Sequence, residues 1–469
     1  MIKVRHNCGI AVAHTLHDAY SFIKSLQHRG REACGIAAVG NSIDVIKWVG
    51  NVSKVDLVDL HKILPAQNYQ MFLAHVRYAT KGREDRILQD AHPHTIGGKE
   101  IIKKDHIIIK NCNAAIIHNG QVDAKTFCNK NKEECDTKNI LNFYWENESH
   151  EVIHKIPGSY TLAIADKRKK EIIVIRDRYG VRPGVLGWKD GKYCVVSEDI
   201  ALKENGAKFI EELRPGSIYY LSFDGSFRRS DILKPTPKHC FFEWNYISDV
   251  DSFLNGVSSR RLREELGKEL AKEFNLKEVD LITFLPRCPE VAARSYVKAL
   301  GMEYKFSPIF YKLRGERSFQ GTTQNDRQNS INSNLHILPG FQDSLKDKRV
   351  VLIDDSTIRG TNSNRAKELL ISAGVKEIIL LNYTPKIGVI GKDGKKRGCL
   401  FGVDIPPGDN FVVLTSDKKR NRTDKEISKE LGLKIGFLSI EGMFRAFERV
   451  GIKREHLCYF CIGGKHPFE

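Results

Sequence analysis

Two adjacent carboxylates at the end of an apolar run are the plainest chemical feature of this sequence. Val350 to Asp354 (VVLID) is a continuous apolar stretch ending in acid, as expected of a buried parallel strand that delivers Asp354 and Asp355 to its open carboxyl end. Ser356, Thr357, Arg359, Gly360 and Thr361 follow in a short loop, and a helix begins just beyond. Backbone N–H groups at a helix start, joined by hydroxyl donors, suit a phosphate. Paired carboxylates beside that phosphate suit sugar hydroxyls and Mg²⁺, a hard cation that prefers oxygen ligands. A lone Asp-Asp pair would be an ordinary turn with a capping aspartate; the complete strand-DDSTIRGT-helix string is more specific. A second feature is Cys458-Tyr-Phe-Cys461, a C-x₂-C pair near the end of the chain, with Cys240 and Cys399 as distant single cysteines. Alone, such a pair is a weak metal signal.

The elements that must position these residues fall into two rhythms. From Cys8 to about Leu233 the chain is rich in short strand-like pieces (GIAVA, EACGIAAVG, YTLAIAD, EIIVIRD, YCVVSE) separated by turn residues, which predicts large sheets with few helices. One helix is marked by Ala19, Phe22, Ile23 and Leu26 at i, i+3, i+4, i+7. The closely spaced prolines of LKPTPKH (Leu233 to His239) disfavour both helix and central strand and mark a boundary. Beyond it, strand and helix alternate. Ala366, Leu369, Leu370 and Ala373 define a helix closed by Gly374, and KEIILLNYT supplies the next strand. That order is a doubly wound α/β signature, in which ligands sit at the carboxyl ends of the strands.

Composition sets the broader frame. A chain of 469 residues is long enough for two to four domains of ordinary size. At 41% hydrophobic and 28% charged it reads as a globular protein, not a disordered or fibrous one. No apolar run approaches the ~18 residues of a membrane span. Arg5, His6 and Asn7 interrupt the N-terminus before a signal-peptide core could form. A cytoplasmic enzyme without membrane attachment is the expectation. The net charge of +17 favours anions, but the basic residues are scattered and lack aromatic interleaving. A small phosphorylated substrate is therefore expected, and no nucleic acid. Eleven cysteines in such a chain imply reduced thiols, a catalytic thiol or a metal site.

Two resemblances sharpen these readings. VVLIDDSTIRGT is similar to the phosphoribosyl-pyrophosphate (PRPP) signature of type I phosphoribosyltransferases. It implies that Asp354 and Asp355 hold the ribose hydroxyls and Mg²⁺, while Ser356 through Thr361 cradle the 5-phosphate. In the first half, Cys8-Gly9-Ile10, LQHRG, AHVRYATKG, HNG, CDT, RDRYGVRP and VVSED together resemble the class II glutamine amidotransferases, whose N-terminal-nucleophile fold is an αββα sandwich. Cys8 is then the nucleophile that attacks the glutamine carboxamide carbon. Its own α-amine is the base, so Met1 to Asn7 form a leader removed by cleavage of the Asn7–Cys8 bond. Asn119 and Gly120 supply the oxyanion hole, Arg77 clamps the glutamine α-carboxylate, and Asp136 pairs with its α-ammonium. Arg29 and Tyr78 belong to the same glutamine site by ordering the loops that close over the thiol. Cys34, Cys112, Cys128, Cys135 and Cys194 are expected to be structural.

The two units joined in this order resemble the amidophosphoribosyltransferase family. The implied division is a leader at 1–7, a glutaminase domain at 8–235 and a phosphoribosyltransferase domain with a doubly wound parallel sheet at 236–469. Cys240 to Gly267 resembles that family's interdomain segment, with Arg263 and Gly267 in place. The resemblance implies conversion of PRPP, glutamine and water to phosphoribosylamine, glutamate and pyrophosphate, with ammonia passing internally. It also implies a homo-oligomer and purine nucleotides as feedback ligands. In one branch of the family, cysteines at the positions of Cys240, Cys399, Cys458 and Cys461 ligate a 4Fe-4S cluster; the same four thiolates would equally satisfy Zn²⁺.

Two departures stand out. The strand LITFLP leads into Arg287-Cys288-Pro289-Glu290, where the family carries a Pro-acid-Ser/Thr turn. Arg287 either binds pyrophosphate directly or marks weaker PRPP binding. In the loop expected to cover PRPP, Arg317, Gln324 and Arg327 match, but His336 stands where lysine is common. The altered turn leaves room for a different phosphorylated acceptor, or for a non-catalytic regulatory paralogue.

Overall fold

The computed structural model describes residues 8–78, 86–123, 126, 135–312, 335–403 and 405–468. Arg317, Gln324 and Arg327, together with Cys128 and the leader, lie outside the described residues.

The strand-rich half forms two stacked sheets. One has nine strands, the other six. The strand Gly9–Ala13, which follows Cys8, lies beside Tyr69–Arg77, antiparallel, with Gly9 opposite Val76. The second sheet centres on Ala114–Val122, paired with Gly158–Asp166 so that Asn119 faces Thr161. Strand alternation gives each sheet two apolar faces. Ile10, Val12, Leu73, Ala115, Ile117 and Ala163 fill the layer between the sheets. On the outer face of the first sheet, Ala11, Ala74 and Val76 pack against Ala19, Phe22 and Ile23 of the helix Leu16–Ser25. On the outer face of the second, Ile116 and Ile164 meet Ile140, Leu141 and Tyr144 of the helix Asp136–Glu146. The result is the expected helix–sheet–sheet–helix sandwich.

The second half is built on a parallel sheet. Leu281–Phe284, Arg349–Asp354, Glu377–Asn382 and Lys434–Phe437 lie side by side in that order. A short parallel bridge from Phe306 to Ile282 adds a further edge on the far side of the first strand. Chain order therefore reverses between Leu281–Phe284 and Arg349–Asp354. In a doubly wound sheet that switch point opens the crevice in which ligands bind. Asp354 and Asp355 sit at its rim, opposite Arg287 and Cys288.

Glycine permits one close helix contact. The helix Ser259–Glu273 packs on Glu290–Leu300, and a Cβ at Gly267 would lie 2.2 Å from the carbonyl oxygen of Ala292. Replacing Gly267 by Ala forces the helices apart. It is expected to cost about 1–3 kcal/mol, read as a lower urea midpoint with little change in slope.

Candidate active site

The glutaminase candidates converge at one end of the sandwich. Cys8, at the mouth of its strand, is fully buried. Burial pushes its thiol up to about 12, against the opposing pull of the Tyr78 backbone N–H and of Arg77, Arg29 and Arg182. Such a thiol does not ionise unaided near neutrality, so it needs a base.

Arg77, on the neighbouring strand, is buried and pairs with Glu32 at 2.8 Å and Asp90 at 3.7 Å, while its Nε finds no partner. The turn that bears Arg29 presses directly on it: a Cβ at Gly30 would lie 2.4 Å from the Arg77 carbonyl carbon.

Asn119 carries the clearest sign of a binding task. It is completely buried, and neither its Oδ1 nor its Nδ2 has a hydrogen-bond partner. A side-chain amide left unpaired inside a protein costs about 1–3 kcal/mol, so stability alone does not account for an asparagine here. Gly120 follows at φ +149, where a Cβ would lie 1.9 Å from the Ser159 carbonyl oxygen. No larger residue fits. Asp136 opens its helix by accepting from the Val122 N–H at 2.9 Å and the Thr137 N–H at 2.8 Å, which ties it to the end of the Asn119 strand.

Arg29 has a different geometry from a ligand clamp. All three of its guanidinium nitrogens are engaged within the protein. Nε donates to the Cys8 carbonyl at 2.9 Å, Nη1 pairs with Glu198, and Nη2 bonds both Glu243 oxygens at 3.1 Å. It therefore holds the Cys8 main chain and has no guanidinium nitrogen left over for a ligand. Glu243 also accepts from Arg182 at 2.6 Å, and Arg182 forks onto the Phe401 carbonyl at 3.0 and 2.8 Å. Glu198 is further held by His28 at 3.0 Å, the Ser252 hydroxyl at 2.6 Å and the Asp249 N–H at 2.9 Å. All four charged residues are at most 2% exposed. Reading the sequence assigned no role to Glu198, Glu243 or Arg182. The available signal was an isolated acid inside the apolar pieces VVSED and CFFEW, since glutamate is rarely buried unless paired.

The phosphate-loop candidates are also brought together. Asp354, Asp355 and Thr357 are buried at the strand end. Asp354 accepts from the Asp355 N–H at 2.8 Å, and Ser356 donates to Asp355 at 2.6 Å. Burial and the proximity of Asp355 raise the Asp354 carboxyl; burial raises that of Asp355 as well. Such a pair calls for a cation. Thr357 donates to Asn382 at 2.8 Å, which pins the loop to the next strand. Gly360 turns the chain at φ +78 into the helix Thr361–Ser372. Arg359 is held by Asp409 at 2.6 Å. In the altered turn Arg287 is exposed, whereas the Cys288 thiol bonds inward to the Asn245 carbonyl at 3.4 Å.

Four cysteines from distant positions meet as well. Cys240 and Cys458 are register partners on two short parallel strands. With Cys399 and Cys461 they line a small pocket. Its remaining wall is apolar, from Val181, Phe242, Phe401, Val403, Ile405 and Phe460. The N–H groups of Phe401 and Val403 both point at Cys399 Sγ, at 3.3 Å. Among the described residues, no three His, Cys, Asp or Glu side chains gather as they would around a single metal ion.

The fold and site combine an αββα sandwich, with Cys8 at the mouth of one strand, and a parallel sheet with a phosphate-type loop at its switch point. Comparison with known proteins agrees. Residues 101–204 match the family model described as a glutamine amidotransferase domain. The chain is a relative of the amidophosphoribosyltransferases along nearly its whole length. It is 28% identical to that of Archaeoglobus fulgidus, over 96% of this chain and 94% of the relative. It is 27% identical to that of Bacillus subtilis, over 96% and 91%. Among solved structures, the B. subtilis glutamine PRPP amidotransferase complexed with ADP and GMP superposes with a TM-score of 0.78 at 24% identity, covering 98% and 97% of the two chains. Another, titled as the allosteric regulatory enzyme of purine biosynthesis, gives 0.79 at 24%, covering 98% and 96%. No helix among the described residues is long and apolar enough to cross a membrane.

The buried network predicts an acid-sensitive stability. Burial works against the Glu198 carboxylate, yet His28, Arg29 and Ser252 hold it well below the ordinary 4.5. A depressed acid adds stability that is present above its unfolded value and lost as pH falls toward its folded one. Glu198→Gln is expected to lower stability at pH 7 by about 3–5 kcal/mol. The gap in melting temperature from the parent protein should narrow below about pH 4.5; a gap independent of pH down to acid unfolding would contradict this.

Proposed function

We propose that this chain converts PRPP, glutamine and water to 5-phosphoribosylamine, glutamate and pyrophosphate, the first step of purine biosynthesis. The observation that carries the glutaminase half is the buried, unpaired Asn119 amide on the strand packed across the Cys8 and Arg77 strands. In this reading Cys8 Sγ attacks the carboxamide carbon while Asn119 Nδ2 and the Gly120 N–H receive the developing oxyanion. The C–N bond breaks, ammonia leaves, and water then cleaves the thioester to glutamate. The α-amine exposed by removing residues 1–7 serves as base; a free α-amine has a pKa of about 7.7–8.0, whereas an amide nitrogen cannot accept the proton. Arg77 and Asp136 hold the two ends of the amino acid, and Arg29 and Tyr78 order Cys8.

Ammonia then attacks the ribose C1 of PRPP, and pyrophosphate departs with the bonding electron pair. Asp354 and Asp355 hold the ribose hydroxyls, and Ser356, Thr357, Arg359, Gly360 and Thr361 receive the 5-phosphate. Arg317 and Arg327 complete the PRPP contacts. Arg287, exposed at the switch point, takes the pyrophosphate in place of the usual acidic turn. The two raised carboxyls would hold Mg²⁺, which neutralises charge on the leaving pyrophosphate. Cys240, Cys399, Cys458 and Cys461 fit a 4Fe-4S cluster: four thiols, a dry apolar wall and N–H donors aimed at sulfur favour a cluster over one tetrahedral ion. Its contribution is structural. The glutaminase unit ends and the transferase unit begins near residue 235. Purine nucleotides as feedback ligands, homo-oligomerisation and a cytoplasmic setting belong to the same reading, and the basic balance of the chain suits such ligands.

Two substitutions separate the half-reactions. Asn119→Ala is expected to lower glutamine-dependent turnover by about 10²–10³-fold while PRPP-dependent pyrophosphate release with added ammonia persists. Asp354→Asn with Asp355→Asn should abolish pyrophosphate release from either nitrogen source and spare glutamine hydrolysis. N-terminal sequencing of active protein should begin at Cys8; fully active protein that retains Met1 would overturn the assignment of the base.

A further inference from the structure

The network around Arg29 does not stop at the nucleophile. From the Cys8 carbonyl it runs through Arg29, Glu243 and Arg182 to the Phe401 carbonyl without a gap, each link between 2.6 and 3.1 Å. Phe401 is also part of the cysteine-lined cavity: its ring forms part of the wall and its N–H donates to Cys399 Sγ at 3.3 Å. One residue thus touches the cavity through its amide and the charge network through its carbonyl. The three motif fragments left without a chemical task meet here, as Arg182 from RDRYGVRP, Glu198 from VVSED and Glu243 from the interdomain segment.

We propose that Glu243 and Arg182 are positioning residues that tie the Cys8 main chain to the cysteine-lined segment 399–403, so that glutamine hydrolysis depends on what fills that cavity. This rests on the amidotransferase reading above. The reasoning is geometric. Once the leader is gone, nothing upstream anchors Cys8. The Arg29 hydrogen bond to its carbonyl then helps set where thiol and α-amine lie relative to Asn119. Arg29 cannot shift without breaking a bidentate contact to Glu243, and Glu243 cannot shift without Arg182. Arg182 is clamped through Nε and Nη2 to the single carbonyl of Phe401, two residues from Cys399. Four buried charges are costly where an apolar core would serve stability as well; the directional contacts hold a position that apolar packing would leave free to slide. An emptied cavity lets the 399–403 segment relax, and the displacement is carried to Cys8.

The test uses mature full-length protein purified without oxygen, as the parent, Glu243→Gln and Arg182→Lys. Three quantities are read: iron content, the rate at which the glutamine analogue 6-diazo-5-oxonorleucine labels Cys8, and kcat and KM for glutamine hydrolysis. Each is measured before and after the metal is removed by oxidation and chelation. Both variants should retain iron and the ammonia-dependent transferase rate, which also reports that they fold. They should label Cys8 about 10- to 100-fold more slowly, with the loss in kcat and with KM for glutamine nearly unchanged, because Arg77 and Asp136 are untouched. Metal removal should slow labelling of the parent to the variants' rate and slow the variants no further. Parent-like labelling in both variants overturns the proposal, as does an equal slowing of all three proteins on metal removal. Absence of iron and zinc from every preparation, with both substitutions still slowing the label, overturns the cluster assignment and supports Glu243 and Arg182 as positioning residues. A parent that neither hydrolyses glutamine nor takes the label overturns the amidotransferase reading itself.

Discussion

The structure turns on a balance of four charges that water cannot reach. Arg29 and Arg182 are matched by Glu198 and Glu243, each carboxylate accepting from a guanidinium as well as from its surroundings. Any one of them alone would be prohibitively expensive to bury, and none can be removed without stranding its partner. The geometry is correspondingly rigid. It draws a turn from the first sheet's helix, the end of a strand-rich segment and the start of the second half into one place, and it holds the Cys8 carbonyl from behind. The sandwich and the parallel sheet meet where this balance closes.

Around that anchor, polar groups are left unfinished where chemistry needs them. Asn119 keeps an amide with no internal partner, and Arg77 keeps an unpartnered Nε, although the backbone of each strand is paired in its sheet. The Cys8 thiol is driven toward its neutral form by burial even with three guanidinia nearby. A buried neutral thiol is unreactive until a base takes its proton. At the other strand end, two adjacent buried carboxylates are both raised, Asp354 by burial and by Asp355 beside it, Asp355 by burial.

The cysteine-lined cavity belongs to the same logic. Its four thiols come from the interdomain segment, from a loop after the third parallel strand and from the chain's end. A filler that binds all four would close the transferase half around its own C-terminus. Because Phe401 faces both the cavity and Arg182, this closure is continuous with the charge balance that holds Cys8.

Local pattern alone determined a good deal. The apolar run ending in Asp354 and Asp355, the hydroxyl loop and Gly360 are contiguous, and strand, turn and helix propensities act over such short spans. The strand-rich rhythm of the first half and the change to alternating strand and helix after Leu233 were legible for the same reason. The resemblance alone assigned Cys8, Arg77, Asn119, Gly120 and Asp136 to one site. What only the tertiary structure decided were contacts between residues far apart in the chain: the reversal of strand order through Phe306, the inward bond of Cys288, and the meeting of Arg29, Arg182, Glu198 and Glu243. Buried ion pairs have no sequence period. Each partner pays for desolvation only when the fold brings the other within reach, so their pairing is a property of the packed chain and of no segment within it.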